Sequence, residues 1–303
     1  MIPNGGTEIL YKNLLKYASS DWNTRVNLIL SFTDERLIDP NKINILWQHL
    51  YTDQGAAQGM INSDFTDRID HYVYVSNWQL EQFRKDFYVD RYSNFVIKNA
   101  IEPIEFVEKS RDKIRMIYTS MPDRGLDVLL DAWSILNRSD IELVVYSSNI
   151  IYGKDYSASR HSQYEQLFYR CANTPGVIYK GYAMNQAVRK ALQTSHILAY
   201  PSIYPETSCL AAIEAGAAGC RIVTTNYGAL PETCAGWATR VEYDRNRAIL
   251  AERYAAQLDL EINNYWSNYS SLKDQSDWFN SNYSWSVRAE EWKDFFNNVC
   301  VKS

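Results

Sequence analysis

The sequence predicts an α/β protein made of two doubly wound parallel-sheet domains, and three observations carry that expectation. Short β-rich runs alternate with helix-length stretches along most of the 303 residues, the rhythm of strand–helix–strand units. That rhythm breaks once, at Asn99-Ala-Ile-Glu-Pro-Ile-Glu, and a second series starts afresh at Ile114. A hydrophobic fraction of 46% with 22% charged residues is the balance of a globular chain, and the length suffices for two cores, which excludes disorder and fibrous repeats.

Taken in order, the first series places strands at Val26–Phe32, Ile43–Trp47 and Tyr72–Val75. The second places strands at Ile114–Thr119, Glu142–Tyr146, Val177–Tyr179, His196–Tyr200 and Arg221–Thr225, with helices between them at Leu126–Leu136, around Tyr164–Cys171, at Asn185–Gln193 and at Ser208–Ala218. The last stretch reads as helix, with Tyr283, Trp285, Trp292, Phe295 and Phe296 on one apolar face. The expected organisation is a domain over residues 1–105, a second over 106–280, and a closing helical segment over 281–303.

A formal charge of -5 leaves no electrostatic footprint for gripping a nucleic-acid backbone, so any phosphate must be met locally. The five cysteines are widely spaced, with no Cys-x-x-Cys pair and no nearby His to complete a zinc site, and read as reduced thiols. No apolar run reaches the roughly 18 residues needed to cross a bilayer, and the N-terminus shows no basic-then-apolar leader. A cytoplasmic enzyme is the expectation. No Gly-x-Gly-x-x-Gly follows any strand, which argues against a dehydrogenase. The 23 Tyr and 9 Trp could rim a carbohydrate site, although core and surface packing accounts for most of them.

The most informative segment is Tyr200-Pro-Ser-Ile-Tyr-Pro-Glu206-Thr207-Ser208-Cys209-Leu210-Ala-Ala-Ile-Glu214-Ala-Gly-Ala-Ala-Gly219. A strand enters, a helix follows and another strand leaves. The amides of Ser208, Cys209 and Leu210 are expected at the helix N-terminus, where free N–H groups and the helix dipole favour an anion such as a diphosphate. Glu206 just before the helix could reach sugar hydroxyls, and Glu214 two turns on could accept hydrogen bonds from a ribose. By spacing alone Glu214 is equally well a helix carboxylate.

The segment resembles the signature of glycosyltransferase family 4 and its retaining relatives, in which Glu, seven residues and a second Glu precede Ala-x-Ala-x-Gly, a strand and Gly-x-x-x-Glu, here Gly228-Ala-Leu-Pro-Glu232. The resemblance extends over nearly the whole chain. Tyr118-Thr-Ser-Met-Pro-Asp-Arg124-Gly125 is similar to the loop whose basic residue meets the donor phosphates, although Ser120 stands where the family usually has a second cation. Val177-Ile-Tyr-Lys-Gly181-Tyr182 resembles the loop that meets the nucleobase through backbone groups, and Gly5-Gly6-Thr-Glu the turn that approaches the donor across a cleft. Ile45-Leu-Trp-Gln-His49 resembles the strand end carrying a His near the reacting sugar. Looser likenesses lie at Ser76, at Asn99 to Glu102, where Ala100 replaces a Gly, and in the closing helix. The chain begins four residues upstream of Gly5, so the first domain is expected to be small and to lack the usual first strand.

The resemblance implies the GT-B fold, two Rossmann-like domains with the active site in the cleft between them. It also implies transfer of a hexosyl group from a nucleotide-diphosphate sugar, UDP or GDP sugars foremost, to a carbohydrate, lipid-linked or other acceptor, with retention and without a cofactor or metal. The implied catalytic residues are Glu206, Arg124 and His49. The implied donor contacts are Gly5, Gly6, Ser120, Gly181, Tyr182, Thr207, Ser208, Cys209, Leu210 and Glu214. Two alternatives stay open, an epimerase or phosphorylase on the same fold and a non-catalytic nucleotide-sugar-binding relative.

Overall fold

The computed structural model describes residues 5–18, 20–149 and 154–301. Elements in chain order are α1 (Gly6–Tyr17), β1 (Val26–Leu30), β2 (Ile43–Gln48), α2 (Ser63–Thr66), β3 (His71–Tyr74), α3 (Asn77–Phe87), β4 (Asn94–Val96), β5 (Ile114–Thr119), α4 (Leu126–Leu136), β6 (Ile141–Tyr146), α5 (Lys154–Asn173), β7 (Val177–Tyr179), α6 (Asn185–Thr194), β8 (Ile197–Tyr200), α7 (Leu210–Ala217), β9 (Arg221–Thr225), α8 (Leu230–Cys234), β10 (Ala238–Val241), α9 (Arg247–Asn263), α10 (Ser271–Tyr283) and α11 (Trp285–Val301). The chain divides into two units. One holds Gly5 with the described residues of Pro103–Pro205 and Cys209–Asn282; the other holds Gly6–Glu102, Glu206–Ser208 and the chain from Tyr283 onward.

In the unit begun by α1, four parallel strands run in the order β1-β2-β3-β4. Both faces are covered, so β2 is apolar on successive residues rather than alternating. Leu46 packs on one side with Met60, Phe65, Tyr72, Tyr74 and Phe83. Trp47 meets Trp292 of α11 on the other, ring centroids 4.8 Å apart, and Phe95 meets Phe295 at the same separation. The aromatic face anticipated for the closing helix is therefore buried against this sheet, with Trp22 stacked on Phe296 at 4.4 Å. The chain re-enters the unit through a short parallel bridge between Ile101 and Ser284. β1 stops at Leu30, two residues short of the expected strand, because Ser31 adopts a left-handed φ of 65° and turns the chain. Ser76 caps α3 by accepting from the Gln79 amide, and the left-handed Tyr88 ends it.

The other unit carries six parallel strands in the order β10-β9-β8-β5-β6-β7. After β7 the chain crosses back to the far side of β5, so the strand order reverses between β5 and β8, leaving a crevice at their C-terminal ends. α4 follows β5 with apolar residues at helical spacing, burying Leu126, Leu129, Leu130 and Trp133 under the sheet. Asn246 caps α9 by accepting from two amides, and α9 packs alongside α4. A lysine holds two other helices. Lys109 is 6% exposed, and its Nζ donates to the carbonyls of Gln193 at 2.7 Å and Ala218 at 2.9 Å, at the C-terminal ends of α6 and α7. Burial lowers its pKa, while the partial negative charge of the two helix ends favours the ammonium.

The crevice itself depends on Gly125. Its φ is 110°, and a Cβ added there would lie 2.1 Å from the carbonyl oxygen of Pro201, so the loop after β5 presses directly on the loop after β8. Gly125→Ala is expected to cost about 2–4 kcal/mol by combining left-handed strain with a backbone collision. Urea unfolding would check this, and a loss under about 0.5 kcal/mol would mean that the two loops separate freely.

Candidate functional site

At the reversal point, Ser120 follows the last residue of β5 and its Oγ lies 3.3 Å from Tyr200 Oη, at the end of β8. Arg124 lies one turn further on, its side chain 17% exposed, with the guanidinium carbon 3.1 Å from the centroid of the Tyr204 ring and Nε 3.5 Å from Asp123. The cation thus meets the negative face of the ring, and a guanidinium fork has the geometry to bind phosphate oxygens bidentately. α7 starts later than expected. Cys209 is extended (φ -78°, ψ 100°) and serves as the N-cap, so the first-turn amides belong to Leu210, Ala211 and Ala212 rather than starting at Ser208.

Glu214, half-buried within α7, accepts a hydrogen bond from Asn185 Nδ2 at 3.0 Å. Burial raises its pKa, with the Asn185 bond and the charge of Arg189 opposing. Gly181 follows β7 at φ 63°, and Tyr182 is 38% exposed beside it. This unit thus gathers Ser120, Arg124, Gly181, Tyr182, Cys209, Leu210 and Glu214 at, or on the helices that follow, the C-terminal ends of β5, β7 and β8. Gly5 belongs to the same unit and is buried.

The α1 unit brings together the remaining residues. Thr207 Oγ1 donates to the His49 carbonyl at 2.8 Å, and Asn99 Nδ2 donates to the Ser208 carbonyl at 3.3 Å. The strand-end residue His49 and the segment Glu206–Ser208 are thereby fixed to one another, with Glu206 half-buried. Gly6 is the first residue of α1. His49 Nδ1 lies 3.2 Å from Ser31 Oγ, while its Nε2 is buried with no partner among the described residues. Burial pushes the imidazole down to about 3, against a smaller upward pull from its Trp47 backbone contact, so the ring is neutral at ordinary pH.

Two contributors escaped sequence reading: Tyr204 lies beneath Arg124, and Asn185 binds Glu214. Asn99, singled out only within a loose likeness, holds the Ser208 carbonyl. Only Asn185 carried a local signal, a polar residue opening a helix.

The family described as Glycosyl transferases group 1 matches residues 98–274. No curated protein matches the chain significantly. Sucrose-phosphate synthase from Thermosynechococcus elongatus superposes with a TM-score of 0.75, covering 100% of this chain and 81% of that one at 15% identity. A glycosyltransferase from Rickettsia africae gives 0.69, covering 99% and 84% at 15% identity. Anabaena HepE, solved with UDP and glucose, gives 0.64, covering 90% and 78% at 12% identity. At such identities the likeness is one of fold, α/β with two parallel-sheet domains of the GT-B class.

The neutral, buried His49 gives a pH signature. Below the ordinary His value of 6.5 the unfolded chain takes a proton that the folded ring refuses until about 3, so stability falls as pH drops through that window. Between pH 7.5 and 5, His49→Asn should lose about 1–2 kcal/mol less stability than the parent in urea unfolding. Identical pH profiles would show that the ring is not desolvated.

Proposed function

This chain belongs to the glycosyl transferases group 1 family, a family of sugar-transferring enzymes, and we propose that it moves a hexosyl group from a nucleoside-diphosphate sugar with retention of configuration and without a metal. The observation that carries this reading is the reversal between β5 and β8. There Arg124, presented on Tyr204, and the first-turn amides of α7 share one crevice, a charge pattern suited to a leaving diphosphate.

In this reading the guanidinium and the amides stabilise negative charge as the glycosidic bond breaks. The acceptor oxygen attacks from the face the diphosphate leaves, and the departing phosphate oxygen takes the acceptor proton. Glu206 fixes the sugar hydroxyls, Glu214 accepts from the ribose, and Gly181 with Tyr182 flanks the base. The neutral His49, its Nε2 unspent, orients donor and acceptor. Gly5, Gly6, Thr207 and Ser208 shape the approach. UDP and GDP sugars are the first donors to test, and a cytoplasmic location fits a structure in which no described helix is long and apolar enough to cross a membrane.

Ser120 favours a second reading. It takes the place of the second phosphate-binding cation and already lies close to Tyr200, as expected of a relative that binds nucleotide without turnover.

Glu206→Gln and Arg124→Ala should each lower transfer by about 100-fold or more, the size of effect seen when one stabilising charge or donor is removed, while the protein stays folded. Near-parental rates in either would sink the catalytic assignment. A metal-free thermal-shift titration with UDP, GDP, ADP and CMP should raise the midpoint by several degrees with one of them at about 100 times its Kd, roughly 2.7 kcal/mol of stabilisation. Glu214→Ala should abolish that rise. No rise with any nucleotide would remove the donor-site reading.

A further inference from the structure

One buried side chain closes a ring of bonds through α6 and α7. Lys109 Nζ donates to the Ala218 carbonyl at 2.9 Å, and the Ala218 amide donates to the Glu214 carbonyl, also at 2.9 Å, one turn back along α7. The Glu214 carboxylate accepts from Asn185, the first residue of α6, and in the last turn of α6 the Gln193 carbonyl accepts from Lys109 at 2.7 Å. The two helices are therefore joined twice, by Asn185 with Glu214 and, where both helices end, by the ammonium.

Ending a helix does not by itself call for this lysine. The Gly216 and Ala217 carbonyls of α7 accept from Gln275, Ser276 and Asn280 of α10, bonds that hold α7 to α10, whereas Lys109 holds α7 to α6. Burying a charge is costly, and an apolar chain of similar length at position 109 would avoid that cost. What the ammonium adds is direction. It has three N–H donors and no acceptor, and three carbonyls face it, that of Leu192 third at 3.5 Å. Its own backbone is pinned, since the Lys109 amide donates to Tyr269 Oη at 2.8 Å. Charge-assisted bonds from a fixed point set the separation of the two helix ends, which non-directional apolar contact would not. A shift at Ala218 reaches Glu214 through a single helical turn, about 5.4 Å.

We infer that Lys109 is a positioning residue for the ribose of the donor: by holding the ends of α6 and α7 together it sets where the Glu214 carboxylate stands. This rests on the nucleotide-sugar reading above, in which Glu214 accepts from the ribose. The test measures by calorimetry the affinities of UDP, GDP, ADP and CDP, each beside its 2′-deoxy form. The proteins are the parent chain, Lys109→Met, Lys109→Gln, Glu214→Ala and the Lys109→Met, Glu214→Ala double variant, with melting temperatures of the free proteins. The ratio of ribo to deoxy affinity reads the ribose contact alone, and a loss of stability in a protein that is still folded does not move it.

The parent should prefer the ribonucleotide by about tenfold or more, the weight of a hydrogen bond to a charged group. Lys109→Met should cut that preference to about threefold or less, and should change it no further once Glu214 is replaced, because the two residues act through one contact. Lys109→Gln is the milder variant should Lys109→Met not fold, with the same fall expected. An unchanged ratio in a folded Lys109 variant, or the same loss of affinity with and without Glu214, would overturn the inference while leaving the donor site intact. Failure of both Lys109 variants to fold would overturn it by showing that the ammonium serves the fold as a whole. If the parent chain binds none of the nucleotides, the inference and the donor reading fall together.

Discussion

The contact between Gly125 and the Pro201 carbonyl is the constraint on which the candidate site depends. A parallel sheet whose strand order reverses must part its connections at the reversal, and here the loops leaving β5 and β8 close the gap until only hydrogen fits between them. The same contact fixes the start of α4 and sets Arg124, one residue earlier, at the mouth of the crevice. Ser120 and Tyr200 add a polar contact across the same seam. A side chain at position 125 would alter the fold and the site together.

In the sheet of the α1 unit, Gln79 Nε2 serves the carbonyls of Gln48 and Leu50 and the Gln48 Oε1 takes the Leu50 amide, which ties down the loop after His49. Lys109 does similar structural work on α6 and α7.

Much of this was legible in the sequence, and the limits are instructive. Strands β5 and β9 fall where apolar β-branched runs predicted them, because a strand buried on both faces announces itself by composition, and the half-exposed edge strand β7 lies where it was expected as well. Element ends were less legible. The strand from Val26 was expected to reach Phe32, but the left-handed Ser31 stops it at Leu30, and the helix expected from Ser208 waits until Cys209 leaves its extended conformation. The α/β class was readable from the alternation of strand and helix runs, and the family from Glu206 to Gly219, where two carboxylates and two glycines fall in one stretch. The stacking of Tyr204 under Arg124 and the bond from Asn185 to Glu214 were not, since each joins residues 80 or 29 positions apart through the fold.

The return of the chain through Tyr283 to α11 has a consequence for biosynthesis. In the α1 unit the four strands precede α11 by most of the chain, yet the face around Trp47 and Phe95 packs against Trp292 and Phe295 of that helix. The strands of the six-stranded unit and the helices α4 to α10 are all made before α11, and so can close earlier. The four-stranded sheet is thus completed only after the strands of the six-stranded unit, and until α11 has been made the nascent chain carries an open aromatic sheet face, the kind of surface that chaperones bind.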